Sequence, residues 1–187
     1  MKTSIAALLL AVALPGQGYT WADTLQAIRS VETGGLPRHG LGAKGDGGNA
    51  LGPFQIWRIY HTDARGRDKS LTRYERCLTS LDYSERVVRA YMARYASQAL
   101  RRLESKRGTL EDVERVSRIH NGGPRGYRKA ATLKYWKKVI LRLRRNRQQS
   151  ISLSVNLSLT FPGCTASRRS DPHFPASSVV GGWGSFF

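Results

Sequence analysis

Leu25-Gln26-Ala27-Ile28-Arg29-Ser30-Val31-Glu32-Thr33-Gly34-Gly35 is the stretch on which the fold turns. Its first eight residues follow a helical repeat, and Thr33-Gly34-Gly35 stops it. Leu25, Ile28 and Glu32 share one face, at spacings i, i+3 and i+7. That face should point inward, so a carboxylate stands where an apolar side chain belongs. Burial disfavours a charged carboxyl, and so does the negative end of the helix dipole. A raised pKa is expected for Glu32, which suits a general acid near neutral pH.

Downstream, residues 34–52 hold eight glycines together with Asp46, and lead into Leu51-Gly52-Pro53-Phe54-Gln55-Ile56. Those aromatic and β-branched residues anchor the segment, which predicts a short hairpin or Ω-like loop lining a cleft. Upstream, Asp23 or Thr24 is placed to cap the helix. Residues 1–22 contain a secretory leader: Lys2, an apolar run from Ile5 to Leu14, then Pro15-Gly16-Gln17-Gly18, with cleavage expected after Gly18 or Ala22. The run is too short to span a bilayer, and no other stretch is apolar enough to do so.

The chain has 187 residues, which fits one domain plus extensions, and 40% are apolar. There are 31 Lys and Arg against 13 Asp and Glu, a formal charge of +18. Such a charge favours polyanions: nucleic acid, anionic lipid or acidic wall polymers. It also fits a solubilising surface that uses arginine. The basic residues are spread over helices without a nucleic-acid motif, so no specific nucleic acid is expected as partner. Cys77 and Cys164, 87 positions apart, allow one disulfide but do not establish it. Neither C-x-x-C nor H-E-x-x-H occurs, so no metal site and no cofactor are expected.

Residues 57–69 suggest a short helix or turn. Ser80 to about Lys106 follows one strong helical pattern, with Ser84 as cap or first-turn residue and Val87, Val88, Tyr91, Met92, Tyr95 and Ala99 inward. Thr109 and Asp112 open another helix with a capping-box pattern, and Val113, Val116 and Ile119 form its stripe. It stops at His120-Asn121-Gly122-Gly123-Pro124. Thr132 is placed to cap a last helix whose buried side is Leu133, Trp136, Val139, Ile140 and Leu143. Residues 23–146 thus form the folded domain. Residues 147–187, rich in Ser, Gly and Pro, are expected to be a poorly ordered tail, with a weak strand-like alternation over Ser150–Phe161.

Several blocks, in order, resemble the invertebrate-type lysozymes and related destabilases. Val31-Glu32-Thr33-Gly34 is similar to that family's V-E-S-G, and Gly52-Pro53-Phe54-Gln55-Ile56 to G-P-Y-Q-I. Tyr60 and Asp63 stand at its Y-W-x-D positions, and Val88-Arg89-Ala90-Tyr91-Met92 resembles V-x-x-Y-M. His120-Asn121-Gly122-Gly123-Pro124 is unchanged, and Tyr135-Trp136-Lys137-Lys138-Val139 is close to Y-W-x-K-V. The resemblance implies an α+β, lysozyme-like fold, mostly helical with a small β-hairpin lobe beside the cleft. It implies hydrolysis of the β-1,4 bond between N-acetylmuramic acid and N-acetylglucosamine in peptidoglycan, with a retaining outcome; the leader adds a secreted or periplasmic location, and a monomer is expected.

Such hydrolysis needs two carboxylates about the scissile bond. The resemblance puts Glu32 as the acid and Asp46 as nucleophile or stabiliser, although the spacing from Asp46 to Gln55 differs from the family's by about one residue. Asp46 also fits a plain turn residue, since Asp-Gly favours turns. Gln55, Tyr60, His120, Asn121 and Gly122 are candidates for sugar contact. His120 equally fits a helix end or a core carbonyl, and Tyr60 and Trp57 fit either sugar stacking or core packing. The chain departs from the family in its cysteines: Gly35, Leu51, Ala64, Val87 and Tyr127 stand where the family tends to carry them. Asn49-Ala50-Leu51 replaces its Ser-rich run, so the isopeptidase activity credited to destabilases is not expected. Two rivals remain: a lytic transglycosylase using Glu32 alone, and a non-catalytic cationic wall-binding or antimicrobial protein.

Overall fold

The computed structural model describes residues 18–160. The leader before Gly18 and residues 161–187, Cys164 among them, lie outside these. Among the described residues are seven α-helices and one small antiparallel sheet. This is the expected α+β architecture, mostly helical.

Helix α1 runs from Trp21 to Glu32. It begins earlier than the sequence suggested. Thr20 is the N-cap; its hydroxyl accepts from Asp23 N (3.0 Å), and the Asp23 carboxylate accepts from Thr20 N (3.1 Å). Asp23 therefore completes a capping box rather than capping. Thr24 also lies inside the helix, donating its hydroxyl to Thr20 O.

The glycine-rich segment folds into three two-residue strands, β1 (Lys44–Gly45), β2 (Ala50–Leu51) and β3 (Ile56–Trp57), paired in that order. The connection from β2 to β3 needs a glycine. Gly52 has φ 72°, and a Cβ there would lie 1.8 Å from the Cys77 carbonyl oxygen.

Helix α2 (Arg58–Arg67) follows directly and packs on α4 (Leu81–Tyr95); the short α3 (Arg76–Thr79) lies between them in the chain. The single helix expected over 80–106 is two. Ala96 leaves helical geometry (φ −143°, ψ 38°), and α5 begins at Ser97 and ends at Glu104. The cap of α4 is Ser80, and Ser84 lies in the first turn, the other placing the sequence allowed. Ser84 is buried, with its hydroxyl 2.9 Å from the carbonyl of Cys77. Val87, Val88, Tyr91 and Met92 are buried as expected.

Thr109 and Asp112 form the expected capping box on α6 (Leu110–Gly122), which ends at Gly123 with φ 78°. Helix α7 spans Leu133–Thr160 and packs along α1. It runs past the boundary expected at residue 146, so the backbone of Ser150–Thr160 is helical rather than strand-like. Thr132 does not cap α7. It is buried, and its hydroxyl points back to the carbonyls of Gly126 and Lys129 (both 2.8 Å). On the inner face Val139 and Leu143 are buried, whereas Leu133 is exposed.

Candidate active site

Glu32 is the last residue of α1. Thr33 closes the helix, with its N–H (3.0 Å) and its hydroxyl (2.9 Å) both donating to Arg29 O. Gly34 and Gly35 then turn the chain at φ 60° and 88°. Glu32 is thus held at a helix end, and only 17% of its side chain is exposed.

Two elements reach this carboxyl, and two further groups hold the histidine that one of them supplies. From α7, Tyr135 donates its hydroxyl to Glu32 Oε1 at 2.6 Å. From α6, His120 Nε2 lies 3.6 Å from the same oxygen, too far for a good hydrogen bond. From α2, Tyr60 Oη lies 3.2 Å from His120 Nδ1. The turn after β2 supplies the fourth group, the Phe54 carbonyl, 3.1 Å from His120 Nε2. A carbonyl only accepts, so Nε2 carries the proton and Nδ1 accepts from Tyr60.

Burial raises the Glu32 pKa above the ordinary carboxyl value, against the Tyr135 hydrogen bond and the charge of Lys138. Burial lowers His120 to about 4, although the hydrogen bond to the Phe54 carbonyl opposes this. His120 is therefore neutral near pH 7, and the His120–Glu32 approach is not an ion pair. The result is an acid that keeps its proton to higher pH than a free glutamic acid.

The other candidates are placed less uniformly. Tyr60 is buried, its ring stacked on Tyr91 at 3.6 Å between centroids, so it faces the core and not a sugar. His120 is likewise buried, with its two ring nitrogens taken by Tyr60 and the Phe54 carbonyl. Trp57 is 46% exposed, so core packing does not bury it. Gln55 sits at φ 45°, with Nε2 donating to Gly52 O (2.9 Å) and Oε1 filling the space beside Gly45 where a Cβ would stand. Asp46 follows β1 directly, exposed and at φ 50°. Its carboxylate has no hydrogen-bond or ion-pair partner among the described residues, while its carbonyl accepts from Asn49. Asn121 is exposed at the end of α6, and the Gly122 carbonyl accepts from Lys129 Nζ (2.6 Å). Among the described residues no group of three His, Cys, Asp or Glu side chains is placed to hold a metal ion.

Tyr135 and Arg118 are the residues that sequence reasoning missed. Arg118 spans the loop after α6: Nε donates to Thr132 Oγ1 (2.9 Å), Nη2 to Lys129 O (3.1 Å) and Nη1 to Glu114 (2.6 Å). Tyr135 lies in a block that carried the family resemblance and Arg118 stands two residues before another, but nothing in a single chain says which partner each meets.

A family model described as Destabilase matches residues 24–141. The chain belongs to the destabilase family. Its similarity to Lysozyme 1 of Crassostrea virginica is 37% identity over 125 residues, covering 65% of this chain and 59% of the oyster protein. It is 34% identical to invertebrate-type lysozyme 6 of Caenorhabditis elegans, covering 63% and 83%. The solved structure of Tapes japonica lysozyme aligns with a TM-score of 0.49 and 28% identity, over 67% of this chain and 92% of that one. This destabilase-family chain thus spans less than two thirds of the oyster relative's length.

Proposed function

We propose that the protein is a lysozyme-type glycoside hydrolase that cleaves the β-1,4 bond between N-acetylmuramic acid and N-acetylglucosamine in peptidoglycan. The observation that carries this is Glu32: a carboxyl at a helix end, its pKa raised by burial, with one hydrogen-bond donor fixing its orientation. Glu32 gives its proton to the leaving glycosidic oxygen, then takes one from water. Asp46, an unpartnered carboxylate beside β1, serves as nucleophile or electrostatic stabiliser at the oxocarbenium-like centre, with retention at the sugar. Trp57 stacks on the substrate, and Gln55, Asn121 and Gly122 line its path. The positive charge of the chain favours a polyanionic wall as the working surface.

A secreted form follows from the leader, cut after Gly18. Such a cut leaves intact the Tyr19–Gly108 backbone bridge (2.8 and 3.1 Å) and the Thr20 cap, and a cut after Ala22 removes both. No helix of the described residues is long and apolar enough to cross a membrane.

The test is clearing of a peptidoglycan suspension by wild type and by Glu32→Gln. Loss of clearing in the variant is expected; equal clearing overturns the assignment. One observation favours a second outcome: Asp46 is exposed and tied to no partner, whereas Glu32 is fully framed, as a transglycosylase using one glutamate requires. Mass spectrometry of the released muropeptides separates the two, since reducing ends mark hydrolysis and 1,6-anhydro ends mark transglycosylation.

A further inference from the structure

A second concave surface lies between the end of α2 and the facing sides of α4 and α5. It is a cavity of about 500 Å³ walled by Arg67, Arg86, Arg89 and Arg101, with Asp68 and Glu104 among them. Two of these arginines are engaged. Arg86 pairs with Asp68 (3.0 Å) and donates to Ser70 (2.6 Å), and Arg89 pairs with Glu104 (2.6 Å). Arg67 and Arg101 are exposed and have no side-chain partner among the described residues. Both carboxylates are already spoken for, so the cavity's uncompensated charge is positive.

The floor is apolar, made by Ala90, Ala93 and Leu100. Arg101 also borders a second depression of about 500 Å³ with Arg102 and Arg107, so basic hollows follow one another along α5. We propose that this tandem groove binds a linear phosphodiester polymer with short polyol spacers, of the glycerol-phosphate type. Guanidinium forks match the paired oxygens of successive phosphates. The methylenes between phosphates lie on the alanine and leucine floor. A polycarboxylate built on peptide bonds would bring amides onto Ala90, Ala93 and Leu100, which offer them no side-chain hydrogen bond. Single-stranded nucleic acid is disfavoured because the groove offers no aromatic ring for base stacking. A bilayer surface cannot enter a concave groove. This binding site goes beyond the proposed hydrolase activity and does not depend on it.

The experiment titrates fluorescently labelled poly(glycerol phosphate) with the full chain at ~0.1 M salt, where surface charges further apart than ~10 Å are screened. Arg67→Ser/Arg101→Ser is expected to weaken binding about tenfold, through two lost charge-assisted contacts. Arg144→Ser/Arg145→Ser removes the same charge from exposed positions of α7 outside the groove, and should change binding less than about twofold. Equal losses in the two variants would mean diffuse attraction and overturn the proposal. So would tighter binding of polyglutamate, single-stranded DNA or phosphatidylglycerol vesicles than of the glycerol-phosphate polymer. Hydrolysis of phosphate-free peptidoglycan is followed in parallel and should be the same in both variants as in wild type. Absence of hydrolysis by wild type would count against the enzyme assignment and leave the binding result standing.

Discussion

Replacing Tyr135 by Phe removes one hydroxyl and leaves the ring that packs against the core. That hydroxyl donates to Glu32 Oε1 at 2.6 Å and is the strongest influence opposing the rise of the Glu32 pKa. A hydrogen bond to an ionised group contributes roughly 1.5–3 kcal/mol and one between neutral groups roughly 1 kcal/mol. The ionised form of Glu32 therefore loses about 1 kcal/mol or more relative to the protonated form, which at 1.36 kcal/mol per unit is a further rise of about one pH unit. A general acid works in its protonated form. The alkaline limb of kcat/KM against pH should consequently move up by about one unit in Tyr135→Phe. Stability should show the same sign. A carboxyl whose folded pKa is raised is favoured while protonated, and that contribution is lost as pH rises through the folded value. The variant should fall below wild type by about 1 kcal/mol at low pH and by about 2 kcal/mol or more in alkaline solution. The assay is a pH–rate profile on soluble peptidoglycan fragments, with denaturant unfolding at the same pH values. An alkaline limb that stays in place, or moves to lower pH, would refute the role given to Tyr135.

His120 is neutral in the folded chain, with its pKa lowered to about 4, and should take up its proton on unfolding near 6.5. Its contribution to stability is therefore lost as pH falls from about 6.5 to about 4, by up to about 3 kcal/mol, with Glu32 partly offsetting it in the opposite sense. His120→Phe should be less stable at pH 7, because Tyr60 Oη and the Phe54 carbonyl lose their partner, yet should show a shallower acid slope; an identical slope would sink the assignment. Asp112 has 1% side-chain exposure and accepts from Arg102 (Nε to Oδ2, 2.8 Å) as well as from Thr109, so Arg102→Met should lower the urea midpoint, and an unchanged midpoint would contradict it. Gly52→Ala sets a Cβ against the Cys77 carbonyl and should lower stability by at least about 2 kcal/mol. Gly47→Ala, at φ 64° with open space around it, should cost only about 1 kcal/mol, and equal losses at the two glycines would show that backbone strain rather than contact decides.

Much of the helical framework was legible because it depends on local rules. The apolar stripes of α4 and α6, the Thr109–Asp112 box and the stop at Gly34-Gly35 all follow from spacing. The Glu32 anomaly was legible for the same reason: one carboxylate on an apolar face stands out against a period. What failed was whatever depends on a distant partner. Ala96 carries no breaking propensity, so the division of α4 from α5 had no local signal. Thr132 looked like a cap because threonine caps helices. Its hydroxyl is instead taken by carbonyls of a loop that Arg118 gathers from the preceding helix. Tyr60 read equally well as a sugar platform or as core, and only the Tyr91 ring and His120 decide it. The relay from Tyr60 through His120 to the Phe54 carbonyl joins residues about sixty positions apart, and no periodicity reports that.

The missing cysteines bear on how Asp46 is held. Of the positions where the resemblance leads one to expect cysteine, Leu51, Ala64 and Val87 are buried in the core, and the ring of Tyr127 lies under the Arg115 and Arg118 guanidiniums. Burial of these side chains stabilises the helices directly, but it does not tether the glycine-rich segment, whose conformational entropy a disulfide would have limited. That segment is tethered by backbone contacts to the region before α4. Gly42 N donates to Leu78 O (2.8 Å), Gly52 lies against the Cys77 carbonyl, and Tyr74 Oη sits 2.8 Å from Asn49 O and 2.7 Å from Ile56 O. Arg58 in turn covers the Tyr74 ring at 4.5 Å. The contacts bracket Asp46 on both sides, at Gly42 and at Asn49, and leave its own side chain free. A tether of this kind fixes where β1 and β2 run while allowing residues 46–48 to adjust. In the proposed reaction Asp46 would thus be positioned by the sheet, with no side-chain partner among the described residues, whereas Glu32 is oriented in advance by Tyr135.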